Sequence, residues 1–288
     1  MKIGIGLPSG IPDVSGKLIL DWAQQADAGP FSTLGVIDRI VYPNYEPMVT
    51  IAAAAAVTKR IRFMTVILIA TLRNAGVLAK EAASIDALSG GRLTLGLAVG
   101  RRRDDFLAAP AEMKGRGKRF EEQLALMRRV WSGEPLSEAV GPVGPPPVQP
   151  GGPPIHIGGS APEALERAGR LADGLITGGG RGASGIAEHY EIVQKAWRAA
   201  GKPGKPGLSA IKYFALGPDA LDRGAPAMRR YYSNPGMDPE AAIRSMAASP
   251  EEVRTVMKEY AAVGMDELIM LPAIADLDQI SRLADLAG

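Results

Sequence analysis

The chain has 288 residues, with 33 Lys and Arg against 31 Asp and Glu, two His and no Cys. That length suits one α/β barrel or two smaller domains, and a net charge of +2 is too small to indicate binding to nucleic acid or to a membrane surface. The lack of Cys excludes disulfides, thiolate catalysis, iron–sulfur clusters and cysteine zinc sites, and two His leave little material for a metal site or a His-based triad.

Short apolar runs alternate with longer segments of helical period, a pattern typical of βα units around a parallel sheet. The predicted strands are 3–7, 34–37, 65–70, 93–99, 154–157, 174–177, 208–216 and 268–271. The predicted helices are 17–28, 47–58, 75–88, 120–131, 162–172, 186–197, a region after 216 that breaks at 234–236 and restarts at 249–252, and 277–283. Eight βα units in 288 residues favour a closed (β/α)8 TIM barrel over a doubly wound sheet.

Two local patterns mark helix ends, and a third marks a long connection. Gly90 suits a left-handed C-cap after the third helix, and Ser249 with Glu252 forms a capping-box pattern. The segment 141–154 is rich in Pro and Gly, which excludes a helix or a central strand. Because the βα pattern resumes directly after it, we interpret it as a surface excursion of a single domain over 1–288 rather than as a linker.

The location of the protein is predicted from its apolar segments. Residues 1–7 are typical of a strand and lack the features of a signal peptide. The longest apolar run, 63–72, is much shorter than the roughly 20 residues that span a bilayer. We therefore expect a cytoplasmic protein with no membrane contact.

Barrel chemistry is expected where strands end and βα loops begin. Gly158, Gly159 and Ser160 follow the fifth strand, with Ser160 at the expected N-cap of the next helix and Glu163 three residues on. Backbone N–H groups and the helix dipole would form an anion site there, although an ordinary capping box after a tight turn explains the pattern equally well. A second glycine run, 178–180, would let a ligand approach the backbone closely.

Charged side chains at other strand ends have two interpretations each. The run 101–105, Arg-Arg-Arg-Asp-Asp, is either a solvated charge run or contains an inward arginine that clamps an anion. Asp38 and Arg39 end the second strand and either face the pocket or form a surface pair. His156 is interpreted as a structural histidine and His189 as a surface residue, so the predicted mouth is rich in Gly and Arg but poor in acid–base groups.

Several motifs, in this order, resemble the luciferase-like monooxygenase family, the bacterial-luciferase-type barrels that use flavin or deazaflavin. The residues that carry the resemblance are 78–86, 88–93, 95–100, 119–122, 154–160, 172–174 and 264–267. The resemblance implies a TIM barrel with a cofactor ring in its mouth and the cofactor phosphate beside Gly158, Gly159 and Ser160. It also implies a bulge with a non-prolyl cis peptide in strand three, at Val66 and Ile67 to within one position. Val99, Thr177 and Gly178 would also line the cofactor.

One position departs from the family pattern. Many members carry His after the acidic residue that ends strand two, whereas this chain has Arg39 after Asp38. A role that depends on that histidine cannot be transferred. Asp38 and Arg39 remain the candidate catalytic residues, as groups that would orient the substrate.

The leading functional hypothesis is a monooxygenase that acts on a small organic substrate with reduced FMN from a separate flavin reductase. The alternative is hydride transfer with the deazaflavin coenzyme F-420, whose long anionic tail would recruit basic residues such as Arg73, Arg101 and Arg103. A cofactor-independent lyase or isomerase is disfavoured because no predicted strand end carries a lysine, and a non-catalytic binding barrel remains open. Family members are commonly dimers, and the alanine-rich segment 52–56 would allow close helix packing between two copies.

Overall fold

A computed structural model describes residues 1–178, 180, 182–234 and 236–288. In this part of the chain, nine strands form one parallel sheet. They are β1 (Lys2–Gly6), β2 (Thr33–Val36), β3 (Arg62–Thr65), β4 (Leu68–Ile69), β5 (Leu93–Ala98), β6 (Ile155–Gly158), β7 (Gly174–Thr177), β8 (Gly207–Phe214) and β9 (Glu267–Pro272).

The same residues form eleven α-helices around the sheet. They are α1 (Gly16–Ala28), α2 (Pro47–Ala56), α3 (Ala75–Ser89), α4 (Arg103–Ala108), α5 (Arg116–Trp131), α6 (Pro162–Leu171), α7 (Ala183–Ala199), α8 (Ala220–Tyr231), α9 (Pro239–Arg244), α10 (Pro250–Ala262) and α11 (Asp278–Ala287). Short 3-10 helices occupy Pro8–Gly10 and Ala70–Leu72. None of the helices in this part of the chain combines the length and apolarity needed to cross a membrane.

The sheet closes into a barrel because β5 pairs with both β3 and β4. Phe63 lies opposite Leu93 in the first pairing, and Leu68 lies opposite Leu97 in the second. The third strand therefore carries one residue more than its partner across the break, which is a β-bulge. β3 and β4 together occupy one of eight positions, so the predicted (β/α)8 TIM barrel is confirmed. The predicted strand bounds 65–70 are wrong, because the strand begins at Arg62 and is interrupted between Thr65 and Leu68. The apolar run itself gives no sign of this break, whereas the family resemblance implied a bulge at Val66 and Ile67.

The barrel strands are buried on both faces, which explains their nearly continuous apolar sequences. In β9, Leu268 and Met270 pack outward into the core beneath the helices. Ile269 and Leu271, which alternate with them, point into the barrel interior. The interior cluster consists of Ile37, Met64, Val66, Ile176, Ile211, Ile269 and Leu271. It fills the barrel below its mouth, so the site above it has a rigid apolar floor.

The helix ends show where local signals succeed. Gly90 caps α3 in the left-handed conformation, with φ of 68°, and the Ser249 hydroxyl accepts a hydrogen bond from the Glu252 amide. Glu252 itself accepts from the Ala248 amide at 2.6 Å. The short helix α4 was not predicted.

The connection between α5 and β6 contains no helix or strand other than an isolated bridge between Ser137 and Val140. It is held by Asp86 of α3, a fully buried residue. The Asp86 carboxylate accepts hydrogen bonds from the amides of Val148 (2.7 Å) and Gln149 (3.0 Å) and from the Gln149 side chain (2.7 Å). Asp86 belongs to a family-like motif, and its role in this structure is to fix the Pro- and Gly-rich excursion.

Candidate active site at the barrel mouth

The carboxyl ends of the strands bring most of the predicted site residues to one end of the barrel. Asp38 lies two residues after β2, the Val66–Ile67 peptide lies between β3 and β4, and Val99 follows β5. Gly158 ends β6 and Thr177 ends β7. Because all barrel strands run parallel, these positions share the face where TIM-barrel enzymes place their chemistry.

The peptide bond between Val66 and Ile67 is cis, at the position that the family resemblance implied. Two glycines make room for this segment. A Cβ on Gly158 would lie 2.4 Å from Cδ1 of Ile67, and a Cβ on Gly35 would lie 3.1 Å from Cγ2 of Val66. The side chains of Val66 and Ile67 thus occupy space that a side chain on Gly35 or Gly158 would crowd.

The loop after β6 differs from the predicted capping box. The N-cap of α6 is Ala161, one residue later than expected, and no side chain caps the helix. The capping-box interpretation of Ser160 and Glu163 is wrong, because Pro162 takes the first helical position and moves Glu163 to the second. Gly159, Ser160 and Ala161 are exposed. The positive end of α6 is thus open to an anion, although Glu163 in its first turn opposes one.

The loop after β7 lies next to this helix end along the barrel rim. A Cβ on Gly178 would meet no atom within 4 Å, so space for a ligand lies directly against this backbone. Gly179, part of the predicted glycine run, lies outside the described residues. Together, the loops after β6 and β7 offer open backbone and a helix N-terminus, which leaves room for a phosphate group.

Asp38 and Arg73 form a buried ion pair. Nη1 of Arg73 donates to Oδ2 of Asp38 at 2.6 Å and Nη2 donates to Oδ1 at 3.0 Å, while the Ile69 amide donates to Oδ2 at 2.7 Å. Burial raises the pKa of the Asp38 carboxyl, and Arg73 opposes that rise. Burial lowers the pKa of Arg73, but the charges and hydrogen bonds of Asp38 and Glu46 together raise it above its usual value. This pair holds the loop after β2 against the end of β4.

Arg39 is also buried in a structural pair. Its Nε donates to Oδ2 of Asp105 at 3.0 Å, and its guanidinium lies 5.5 Å from the ring centre of Tyr42 and 5.6 Å from that of Tyr231. Oδ1 of Asp105 accepts from the amides of residues 40 and 41. In the part of the chain that is described, Nη1 of Arg39 and the buried hydroxyl of Ser9 have no hydrogen-bond partner. Two buried donors at the mouth are therefore available to a ligand or to water.

Of the three arginines after β5, one forms an ion pair within the protein and two are exposed. Arg102 pairs with Asp104, with Nη2 to Oδ2 at 2.9 Å, as the solvated-run interpretation expected. Arg101 and Arg103 are exposed, and Nη2 of Arg101 contacts the sulfur of Met237 at 2.7 Å. Among the predicted anion-binding residues, Arg73 is held by Asp38, whereas Arg101 and Arg103 remain accessible on the rim.

Neither histidine lies at the mouth. His156 is the second residue of β6, and its Nδ1 lies 3.1 Å from the Ser209 hydroxyl. Burial lowers its pKa, and a Cβ on Gly174 would lie 2.8 Å from its Nε2. His156 is a packed structural residue near the amino ends of the strands, as predicted. The prediction of His189 as a surface residue is wrong, since only 8% of it is exposed on the inner face of α7.

Four tyrosines at the mouth were missed by the sequence analysis. The ring centres of Tyr42 and Tyr231 are 5.3 Å apart, those of Tyr231 and Tyr232 are 5.1 Å apart, and those of Tyr213 and Tyr232 are 6.0 Å apart, all edge to face. Burial raises the pKa of Tyr213, Tyr231 and Tyr232. The one available signal was Tyr213, which falls inside the predicted seventh strand near its carboxyl end.

A small cavity of about 20 Å³ is lined by two of these tyrosines, Tyr213 and Tyr231. The rest of its lining comes from the carboxyl ends of β8 and β9, the segments that follow β1, β2 and β9, and α8. The lining residues are Leu7, Gly10, Ile11, Ile37, Tyr213, Ala227, Met228, Tyr231, Leu271, Pro272 and Ala273. Ile37 and Leu271 also belong to the interior cluster that contains Val66. The cavity therefore shares part of its lining with the interior cluster that contains Val66.

The closed barrel, the cis peptide in its third strand and the open cradle after β6 and β7 define the class of a cofactor-binding TIM-barrel oxidoreductase. The model of one family, luciferase-like monooxygenase, matches residues 1–280. The chain belongs to this family. It is therefore a luciferase-like oxidoreductase.

Individual relatives are more distant. An uncharacterised protein of Mycobacterium tuberculosis is 34% identical over 188 residues, which covers 62% of this chain and 65% of the relative. The chain thus spans slightly less than two thirds of that relative's length.

Solved structures show the same fold. A monooxygenase from Streptomyces bottropensis superposes with a TM-score of 0.81 at 22% identity, covering 99% of this chain and 97% of the other. The coenzyme F-420-dependent tetrahydromethanopterin reductase of Methanopyrus kandleri gives a TM-score of 0.78 at 18% identity, covering 99% and 98%.

Proposed function

We propose that this protein is a monooxygenase that uses reduced FMN and dioxygen on a small organic substrate. The observation that carries the proposal is the kind of polar group found at the mouth. Tyr213 and Tyr231 line the inner cavity and stay protonated because burial raises their pKa. These phenols are hydrogen-bond donors rather than bases at neutral pH.

The other titratable groups near the mouth support the same reading. Asp38 and Arg39 are engaged in ion pairs with Arg73 and Asp105, so the candidate catalytic pair of the sequence analysis is better described as positioning residues. Removing a hydride from an alcohol also requires a base for the hydroxyl proton. A mouth furnished with donors suits a reaction in which negative charge develops on an oxygen atom.

The residues present fit a flavin mononucleotide. The phosphate would be held by the backbone of Gly159 and Ser160 at the α6 N-terminus and by the open backbone at Gly178. Val66, Ile67 and Val99 would support the ring, with Gly158 and Thr177 beside it. Bound reduced FMN would supply the electrons and activate dioxygen, while the protein orients the substrate and excludes water.

A coenzyme F-420-dependent reductase or dehydrogenase is the second candidate. One observation favours it: Arg101 on the loop after β5 and Arg103 at the start of α4 are exposed, where a long anionic tail could pair with them. The mouth would then hold the deazaflavin ring in the same place, and the tyrosines would serve as hydrogen-bond donors in a reduction.

Titration of the purified protein with FMN and with coenzyme F-420, followed by the fluorescence of each cofactor, separates the two candidates. The proposal expects tighter binding of FMN, in its reduced form under anaerobic conditions, and dioxygen-dependent oxidation of a substrate. Arg101→Gln with Arg103→Gln should leave FMN binding unchanged. Selective binding of coenzyme F-420 that is lost in this double variant would establish the second candidate instead.

The proposal also includes an oligomeric state, a homodimer. Val49 on α2 and Val77 and Leu88 on α3 are 68%, 55% and 81% exposed, and Ala53 and Ala56 also face outward on α2. These small and apolar residues support a homodimer in which α2 and α3 meet a second copy. Light scattering of the protein and of Leu88→Glu would test this. A separate flavin reductase and a cytoplasmic location remain predictions.

A further inference from the structure

A second, larger cavity lies directly outside the tyrosine-lined one. It has a volume of about 430 Å³ and is lined by Ile11, Pro12, Arg223, Pro226, Ala227, Arg230, Ala273, Ile274 and Ala275. Three residues, Ile11, Ala227 and Ala273, line both cavities. The two spaces are therefore neighbours along one path, which runs between α8 and the segment after β9 toward the barrel axis.

The inner space admits only a narrow group. Its volume of about 20 Å³ is close to the minimum that accommodates one water molecule, and its walls are aliphatic except for Tyr213 and Tyr231. A slim end of a molecule, such as an unbranched carbon bearing one oxygen, is the largest group that this space fits as it stands. The body of the molecule would remain in the outer cavity.

The outer space combines apolar walls with positive charge. Arg223 and Arg230 are its only charged lining residues in the described part of the chain. Their ion pairs are long: Arg223 lies 3.5 Å from Asp276, and Arg230 lies 3.9 Å from Asp13, whose side chain is 89% exposed. Such exposed pairs are weak. A carboxylate or sulfonate could thus compete for the guanidinium groups, which bind planar oxyanions through two parallel hydrogen bonds.

We propose that these two cavities form the substrate path and that the substrate is an amphipathic anion. Its slim, uncharged reacting end occupies the inner cavity beside Tyr213 and Tyr231. Its apolar body lies against Ala227 and Ile274, and its anionic end pairs with Arg223 and Arg230. This assignment rests on the proposed function, because a bound molecule is a substrate only if the protein is an enzyme of that kind. Binding of the molecule along the path requires no cofactor.

Calorimetric titration with octanoate and octan-1-ol tests the path without any assay of activity. Octanoate should bind several-fold more tightly than octan-1-ol, and adamantane-1-carboxylate, an anion with a wide apolar body, should bind more weakly than octanoate. Arg230→Gln should weaken the preference for octanoate several-fold, because only Arg223 then remains to pair with the anion. Its matched control is Arg229→Gln on the same helix, which changes an exposed pair with Glu240 outside both cavities and should have no effect.

Ala227→Trp should weaken both eight-carbon ligands at least tenfold by filling the junction of the cavities. Leu221→Trp, at an exposed position of α8 outside both linings, is the control for a bulky ring on this helix, and melting temperatures of all variants report whether they fold. If Ala227→Trp does not fold, Ala227→Leu obstructs the same junction with a smaller side chain. Equal binding of octanoate and octan-1-ol by the unaltered protein, or unchanged binding in a folded Ala227 variant, would overturn the assignment. Octanoate binding in a protein that binds neither FMN nor coenzyme F-420 would support the path while refuting the proposed function.

Discussion

Asp38 and Arg73 are joined by two parallel hydrogen bonds of 2.6 and 3.0 Å between the guanidinium and the carboxylate. The side chain of Asp38 is 0% exposed and that of Arg73 is 13% exposed. The sequence suggested a separate function for each residue, catalysis for Asp38 and anion binding for Arg73. Their pairing instead makes them one structural unit that fixes the loop after β2, and Nη2 of Arg73 also donates to Oε1 of Glu46 at 2.9 Å.

This pairing predicts strong non-additivity between substitutions. Arg73→Met leaves a buried carboxylate without its counter-ion and should lower the free energy of unfolding by about 3–5 kcal/mol. Asp38→Asn combined with Arg73→Met should cost much less than the sum of the single changes, because no buried charge remains. Urea denaturation of the four proteins of this double-mutant cycle measures the coupling. Additive losses would show that the two side chains act independently.

The open space beside the backbone after β7 allows a substitution that should weaken cofactor binding without affecting folding. Because a Cβ on Gly178 would meet no protein atom within 4 Å, Gly178→Val should leave the melting temperature unchanged. If the cofactor phosphate lies there, the variant should bind FMN at least about tenfold more weakly, equivalent to about 1.4 kcal/mol. Gly141→Val, at another open position in the Pro- and Gly-rich excursion, should change neither property. Unaltered FMN affinity in Gly178→Val would place the phosphate elsewhere.

Because the pKa of Tyr231 is raised, we predict that this tyrosine does not contribute to the absorbance change of tyrosine ionisation near pH 10. An ordinary tyrosine ionises near pH 10, whereas burial shifts the pKa of Tyr231 upward. The absorbance change at about 295 nm up to about pH 10.5 should therefore be the same in Tyr231→Phe as in the unaltered protein. A smaller change in the variant would show that Tyr231 already ionises in this range. It would then no longer count as a permanently protonated donor.

His156 predicts a pH dependence of stability. Burial lowers its pKa below the ordinary value of 6.5, so the unfolded chain takes up a proton at a higher pH than the folded protein does. The free energy of unfolding should therefore fall as the pH drops below about 6.5. His156→Asn should be less stable at pH 8, but its stability should fall less between pH 7 and pH 5.5. Parallel profiles for the two proteins would mean that His156 titrates alike in both states.

The sequence by itself determined the repeating βα pattern, most strand positions, the glycine cap of α3 and the family, because apolar periodicity, glycine caps and family motifs are local properties. It also placed the cis peptide at Val66 and Ile67 through family resemblance. Local pattern did not fix the start of α6, since Ser160 with Glu163 fits a capping box whereas Pro162 at the first helical position places the N-cap at Ala161, where the structure has it.

Only the tertiary structure decided which charged side chains are held in ion pairs and which groups face the mouth. Asp38 meets Arg73 across 35 positions of sequence, and Arg39 meets Asp105 across 66. Strand pairing and helix packing set such distances. The tyrosines gather for the same reason: Tyr42, Tyr213 and Tyr231 lie on separate elements whose ends meet only when the barrel closes. Ion pairing and burial depend on that closure. The gathering of phenol donors at the mouth depends on it too, whereas the scarcity of acid–base groups there was already predicted from the sequence.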